Sequence, residues 1–347
     1  MESSSHVDHF GISRFTLASF DPKGPTSSSI SGLMWLMVIL GLAIYVVFVS
    51  VLFRGLRSPK SSSIDNNEDN NNNFGTNGKV QDAEPDTFER RWLVIAGLFI
   101  PTVILAIIFV FTLRTMNAVA EKAPDGSLVV EVTGHRWWWE VSYPSDGFTT
   151  GFSTTNEVHI PSGQPVTIRL SSADVIHSFW IPELGGKVDA FPDYPNELVI
   201  EANEPGNYQG SCAEFCGLHH ARMPVKVIAH TQKQFDEWLA GQRQAAQPVQ
   251  TSSQMTGREI FRESGCADCH AVVESAGLEP RTKGGGPDLT HQASRPMLLS
   301  LRRERTREML ATWITDPESV KSKSGMPPTK LDAQQLRALI DYLEHLR

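Results

Sequence analysis

Residues 212–229 read CAEFCGLHHARMPVKVIA, a run dense in metal-binding side chains that passes directly into an alternating apolar strand pattern. Cys212 and Cys216 stand four positions apart, His220 four further on and Met223 three beyond that, with His177 upstream. Two thiolates, imidazole nitrogens and a thioether make a soft donor set, the kind that selects copper over cations preferring oxygen. A mononuclear blue-copper site needs only one cysteine. The second thiolate lets both sulfurs bridge two metals, so the run points to a dinuclear copper centre. Taken singly the residues are ambiguous: Cys-x3-Cys can close a disulfide, Met223 can fill a core, and His177 can be a satisfied histidine. Their joint spacing favours the metal.

Working outward, LVVEVTGHRWWWEVSY, PVTIRLSS, ELVIEA and PVKVIA alternate apolar and polar residues between Ser127 and about Ala229, with PSG, PDYPN and NEPGN as turn signals. Several short strands at this spacing predict a β-sandwich or barrel. Gly134-His-Arg-Trp137-Trp138-Trp139 places three rings in succession on one predicted strand, so at least one must point away from the core.

Ahead of the strands lie two uncharged apolar runs, 33–53 and 92–113, each long enough to cross about 30 Å of hydrocarbon as a helix. A cleaved signal peptide is the alternative for the first, but its run is too long and about thirty mostly polar residues precede it. Pro101 in the second is tolerable where neighbouring helices satisfy the freed backbone groups. Arg54, Arg57, Lys60, Lys79, Arg90 and Arg91 crowd the connection between the runs, whereas the N-terminal arm carries only Arg14 and Lys23. By the positive-inside rule the connection is cytoplasmic, and everything after about residue 114 is extracytoplasmic. The Asn-rich NNEDNNNNFGTNG within it reads as a disordered loop.

After QRQAAQPVQTSSQ, a Gln- and Ser-rich linker, come Gly257-Arg-Glu-Ile-Phe261 and then Cys266-Ala-Asp-Cys269-His270. C-x-x-C-H is the haem c attachment signature: two thiols add to the haem vinyl groups and the histidine can ligate iron. In the final helix, Leu336, Leu339, Ile340 and Leu343 share one stripe, as packing on an earlier helix requires. The only four cysteines form two tight pairs, each read as a cofactor site rather than a disulfide framework. With 31 basic and 39 acidic residues and a net charge of -8, the chain shows no basic surplus suggesting nucleic acid.

C-x-E-x-C-x-x-x-H-x-x-M, preceded by HSFWIPELGGKVDAFP, resembles the CuA loop of the cytochrome c oxidase subunit II family. The resemblance implies a transmembrane two-helix hairpin, a cupredoxin-like β-sandwich or barrel and a small all-α cytochrome c domain. The divisions are expected at 1–32 (extracytoplasmic arm), 33–53, 54–91 (cytoplasmic loop), 92–113, 114–240 (copper domain), 241–254 (linker) and 255–347 (cytochrome). It also implies Cys212 and Cys216 as bridging ligands, His177 and His220 as imidazole ligands, Met223 as thioether, and Glu214 binding through its carbonyl. His219 stands beside His220 as the competing histidine. Trp137 matches the family's point of electron input, although packing inside is the plainer role. The carboxylate matching Glu214 reaches a magnesium ion shared with subunit I in the family. Asp189, in the same KxDAxP segment, reads as an exposed acid. Glu89 matches a carboxylate of a proton-uptake path in some members, or is an acid favoured at a helix start.

The C-terminal part is similar to small class I cytochromes c. There, a proline placed like Pro287 supports the haem histidine, and a methionine placed like Met326, in Gly325-Met326-Pro327-Pro328, is the sixth ligand. Met297 and Met309 lack such neighbours and read as core. The implied role is relay from a donor, cytochrome c or a quinol-cytochrome c reductase complex, through haem c and CuA to subunit I. There oxygen becomes water and protons are pumped in a bacterial inner membrane, with subunit III a further partner. A nitric oxide or nitrous oxide reductase component and a membrane-anchored copper or electron carrier are the alternatives. A quinol oxidase subunit II would lack the copper ligands.

Overall fold

The computed structural model describes residues 20–57, 91–92, 94–145, 151–274, 285–295, 297–298 and 303–347. Most of the Asn-rich connection, with Lys60, Lys79, Glu89 and Arg90, lies outside them. The chain divides into two units, one of residues 31–117 and the other of residues up to 30 together with 118–347.

The first unit holds two helices long and apolar enough to cross a membrane. Helix α1, Pro25–Arg57, starts before the apolar run 33–53 and outlasts it. The second begins as a π-helical stretch, Ile95–Phe99, and continues as α2, Ile100–Val119. The Ile100 amide donates to the Ile95 carbonyl, and this widened turn sits immediately ahead of Pro101. Proline lacks an amide hydrogen and its ring crowds the carbonyl four residues back, so a looser turn there accommodates it without breaking the rod.

The second unit starts with ten strands: β1 Val129–His135, β2 Trp138–Tyr143, β3 Phe152–Thr155, β4 Glu157–Pro161, β5 Val166–Ser172, β6 His177–Trp180, β7 Val188–Ala190, β8 Asn196–Ile200, β9 Gly206–Cys212 and β10 Pro224–His230. They form two five-stranded sheets, in the orders β3-β2-β1-β5-β8 and β4-β10-β9-β6-β7. Burial alternates residue by residue in β1, β2, β5 and β10. The inward residues of both sheets, among them Val130, Trp139, Ile168, Ile160, Phe179 and Val227, make one core. This is the expected sandwich, with one correction. The aromatic stretch is not a single strand, because Arg136 and Trp137 form a two-residue turn between β1 and β2, with His135 paired to Trp138. Trp137 therefore does not take part in strand alternation.

Asn156 joins the sheets. It adopts a left-handed φ of 60° between β3 and β4, a conformation that asparagine tolerates better than most residues. Its side-chain carbonyl accepts from the Trp139 amide at 2.8 Å, and its own amide donates to the Trp139 carbonyl at 2.9 Å. The strand switch is thereby locked to the ring at the centre of the core. Ahead of α1, the Lys23 amide donates to Glu183 O and the Asn203 amide to Lys23 O, tying the N-terminal arm to the sandwich.

Helix α3, Gln232–Gln242, closes one end of the sandwich, with Trp238 stacked on His159 at 3.9 Å. The segment expected as a linker then runs along the C-terminal helices: the Ala246 amide donates to Val273 O, and His291 Nε2 lies 3.0 Å from Gln244 O. Helix α4 spans Ser252–Glu263, starting before residue 255 because Thr251 and Gln254 form a capping box. After it come α5 Cys266–Cys269, a two-stranded ladder of Met297–Leu298 with Arg303–Glu304, α6 Arg307–Thr315, α7 Pro317–Val320 and α8 Ala333–His345. Leu339, Ile340 and Leu343 on α8 are buried, and Tyr342 meets Phe261 of α4 at 5.7 Å.

Gly257 of α4 lies directly against α8: an added Cβ would sit 2.0 Å from Ala338 O, a backbone atom that cannot swing aside. Gly257→Ala is therefore expected to separate the helices and destabilise the C-terminal domain by about 1–3 kcal/mol. Thermal unfolding of the full chain, followed at the haem absorption band, should show a lower midpoint.

Candidate metal centre and haem-binding segment

Strand β6 delivers His177, and the β9–β10 connection delivers the rest. Cys212 ends β9, and residues 220–222 form one 3-10 turn, after which Met223 leads into β10. His177 and Met223 are fully buried, and Cys212 and Cys216 nearly so. The two sulfurs lie 3.9 Å apart, unbonded. His177 Nδ1 is 3.9 Å from Cys212 Sγ, His220 Nδ1 is 3.7 Å from Cys216 Sγ, and Met223 Sδ is 3.8 Å from Cys216 Sγ. Cys212 Sγ lies 3.2 Å from the Glu214 carbonyl oxygen. The five side chains singled out by spacing thus converge with the Glu214 carbonyl that the resemblance implied, and His177, Cys212 and Cys216 form a potential metal-binding group.

Thiolate bonds to metals of this row are about 2.3 Å long. Twice that exceeds 3.9 Å, so one ion can touch both sulfurs, and a second can do so from the opposite side. Each sulfur also has its own imidazole. The donors fit a dinuclear copper centre in number and in softness. Without metal, the contact between the two sulfurs lowers Cys212 and raises Cys216.

Asp174, which sequence reading missed, orients His177. Its Oδ1 is 2.8 Å from His177 Nε2, and the carboxylate also accepts from the Arg136 amide at 2.7 Å and the Val175 amide at 2.6 Å. Burial pushes the Asp174 carboxyl up, but these hydrogen bonds, the one from His177 foremost, outweigh it and hold the group below the usual range. An ionised partner keeps the proton on Nε2 and turns Nδ1 toward the sulfurs. The spacing D-x-x-H was the only available signal. On its other side the ring packs on Trp139 at 5.7 Å and against the backbone of Gly134.

The competing histidine, His219, points elsewhere. Its Nε2 lies 2.7 Å from Ser322 O, and its ring meets the Trp137 indole edge-on at 4.7 Å. Trp137 is only 6% exposed, and its Nε1 donates to Cys216 O at 3.1 Å. Lys321 Nζ donates to Trp137 O at 2.8 Å, and burial lowers this ammonium to about 8. Glu214 turns its carboxylate outward, 3.8 Å from Lys187 Nζ, which also lies 3.9 Å from Asp189.

In the C-terminal domain, the single turn α5 places Cys266 and Cys269 three apart on one face. His270 follows, its Nδ1 2.8 Å from Pro287 O. A carbonyl only accepts, so Nδ1 carries the proton and Nε2 is left for iron. Burial also lowers His270, favouring the neutral ring a metal needs. A Cβ at Gly286 would fall 2.8 Å from Cys269 O and 3.0 Å from His270 Cε1, so Gly-Pro here permits a close approach to the histidine. Met326 packs half-buried on the same core, whereas Met297 sits in the two-stranded ladder and Met309 on α6. The residues fit a covalently held haem.

A Cβ at Gly134 would stand 2.6 Å from His177 Cδ2. Gly134→Ala is therefore expected to displace the imidazole and cost copper affinity. Asp174→Ala is expected to weaken copper binding about 10- to 100-fold by releasing the ring. Metal retention after dialysis against graded chelator measures both.

Two family profiles match: "Cytochrome C oxidase subunit II, periplasmic domain" over residues 145–230 and "Cytochrome c" over residues 254–347. Cytochrome c oxidase subunit 2 of Alkalihalophilus pseudofirmus is 33% identical over 342 residues, covering 95% of this chain and 91% of that protein. The Bacillus subtilis protein of the same name is 30% identical over 331 residues, covering 90% and 85%. The solved periplasmic domain of cytochrome oxidase subunit II from Bradyrhizobium japonicum is 30% identical, with a TM-score of 0.33, covering 35% of this chain and 96% of that one. With its two helices long and apolar enough to span a membrane, its β-sandwich and its C-terminal cytochrome c domain, the chain belongs to the cytochrome c oxidase subunit 2 family, the subunit II of haem-copper oxidases.

Proposed function

We propose that this subunit receives electrons on the periplasmic face of a bacterial inner membrane and relays them to subunit I of a proton-pumping oxidase that reduces oxygen to water. The observation that carries the reading is the convergence of two imidazole nitrogens, a thioether and a carbonyl on a sulfur pair 3.9 Å apart, in a chain that also bears C-x-x-C-H. Cys212, Cys216, His177, His220, Met223 and the Glu214 carbonyl would hold a copper pair, and burial keeps water from the sulfurs. Cys266 and Cys269 would anchor the haem and His270, through Nε2, and Met326 would hold its iron, a pairing that would raise the reduction potential relative to two histidines. When bound, the two groups supply one-electron transfer.

Phe215 and Leu218, 76% and 61% exposed, flank Cys216 on the copper loop, and this apolar tip suits burial against subunit I. The outward Glu214 carboxylate is available for a magnesium ion shared with that subunit. Subunit III completes the assembly, and the donor to the haem is a cytochrome c or a quinol-cytochrome c reductase complex.

The purified complex is expected to retain two coppers in this subunit and one covalent haem c, and to consume oxygen with ascorbate and a mediator. A copper carrier would instead release a single labile ion, and a nitrogen-oxide reductase component would support reduction of those oxides rather than oxygen. Cys216→Ser should abolish electron delivery to subunit I while haem c stays reducible; persistence of turnover would contradict the copper assignment. Met326→Ala should lower the haem c midpoint potential, read by redox titration.

A further inference from the structure

The copper loop and the segment that leads to Met326 touch. The Ser322 carbonyl receives a 2.7 Å hydrogen bond from His219, the neighbour of His220, and Lys321 donates to the main chain of Trp137. Trp137 in turn donates to Cys216 O and meets the His219 ring. Residues 321–322 thus cover the tryptophan at the family's point of electron input, leaving it buried. An ammonium is costly to bury, so the placement of Lys321 against a carbonyl marks a fixed contact rather than a passing one.

We infer that His219 and Lys321 are positioning residues that seat the haem-binding loop on the copper loop, so that electrons cross this contact instead of reaching the copper from a mobile donor docked at Trp137. The inference rests on the reading that both cofactors are bound where proposed. One electron leaves the reduced haem iron and is taken up by the oxidised copper pair; no bond forms or breaks and no proton moves. The pairing of segments makes His219 more than a spare ligand. Its backbone adjoins His220, and Ser322 lies four residues before Met326, so a single hydrogen bond links the two ligand-bearing stretches.

The test uses the purified complex with His219→Ala, Lys321→Met, the double variant, and His219→Gln, whose amide can donate to the same carbonyl. Two readouts are taken: the rate of haem-to-copper transfer after flash photoreduction of the haem, and the acetylation of Lys321 in the His219 variants, measured by mass spectrometry. His219→Ala and Lys321→Met are each expected to slow transfer at least about tenfold, with the copper spectrum and haem midpoint unchanged. His219→Ala should also raise Lys321 acetylation, and His219→Gln should restore both toward the parent. If His219→Ala disturbs the copper spectrum, Lys321→Met alone decides. A parental transfer rate in Lys321→Met with an intact copper spectrum overturns the inference and leaves the proposed function standing. Absence of a copper spectrum in the parent complex removes that function, and the inference with it.

Discussion

Two sulfurs held 3.9 Å apart in a buried loop are the constraint around which the rest of the β domain is arranged. Burying two thiols together with imidazoles is unfavourable unless something shares their charge, and the sandwich supplies the rigidity that holds them for a metal pair. The loop is pinned at both ends by antiparallel pairing of β9 with β10, where Ser211 faces Pro224. Its partner His177 comes from β6, which pairs with β9 through Phe179 and Cys212. Three neighbouring strands of one sheet therefore set the position of every donor.

The support behind that ring of donors reaches into the other sheet. Asn156 fixes Trp139, Trp139 packs on His177, and Gly134 leaves the space that the imidazole occupies. Asp174 fixes the tautomer from the opposite side. None of these groups offers an atom to the sulfur pair, yet each restricts where the imidazole can lie, which is how outer partners tune a metal site. The cytochrome domain repeats the device on a smaller scale, with the Pro287 carbonyl orienting His270.

The copper loop, the C-x-x-C-H segment and the two apolar helices were legible in the sequence because each depends on spacing along the chain or on composition alone. Spacing from Cys216 and to Met223 favoured His220 over His219, and in the fold His220 faces Cys216 Sγ while His219 faces Ser322 O. What could not be read depends on tertiary neighbours. The Arg136–Trp137 turn carries no glycine, proline or asparagine to announce it. Asp174 acts through a partner that only the fold orients. Lys321, a lysine in a polar stretch, gives no sign that it reaches a tryptophan carbonyl 184 positions away. The linker composition of 241–254 likewise concealed its packing against the C-terminal helices, since Gln- and Ser-rich chain can lie on a surface as readily as hang free.

Two cysteine sulfurs shared by two metals differ from two sulfurs serving one in how an unpaired electron is distributed. Electron paramagnetic resonance of the oxidised complex tests this most directly. A shared pair gives hyperfine structure from one unpaired electron spread equally over two copper nuclei, whereas a pattern from a single copper nucleus would rule the shared pair out.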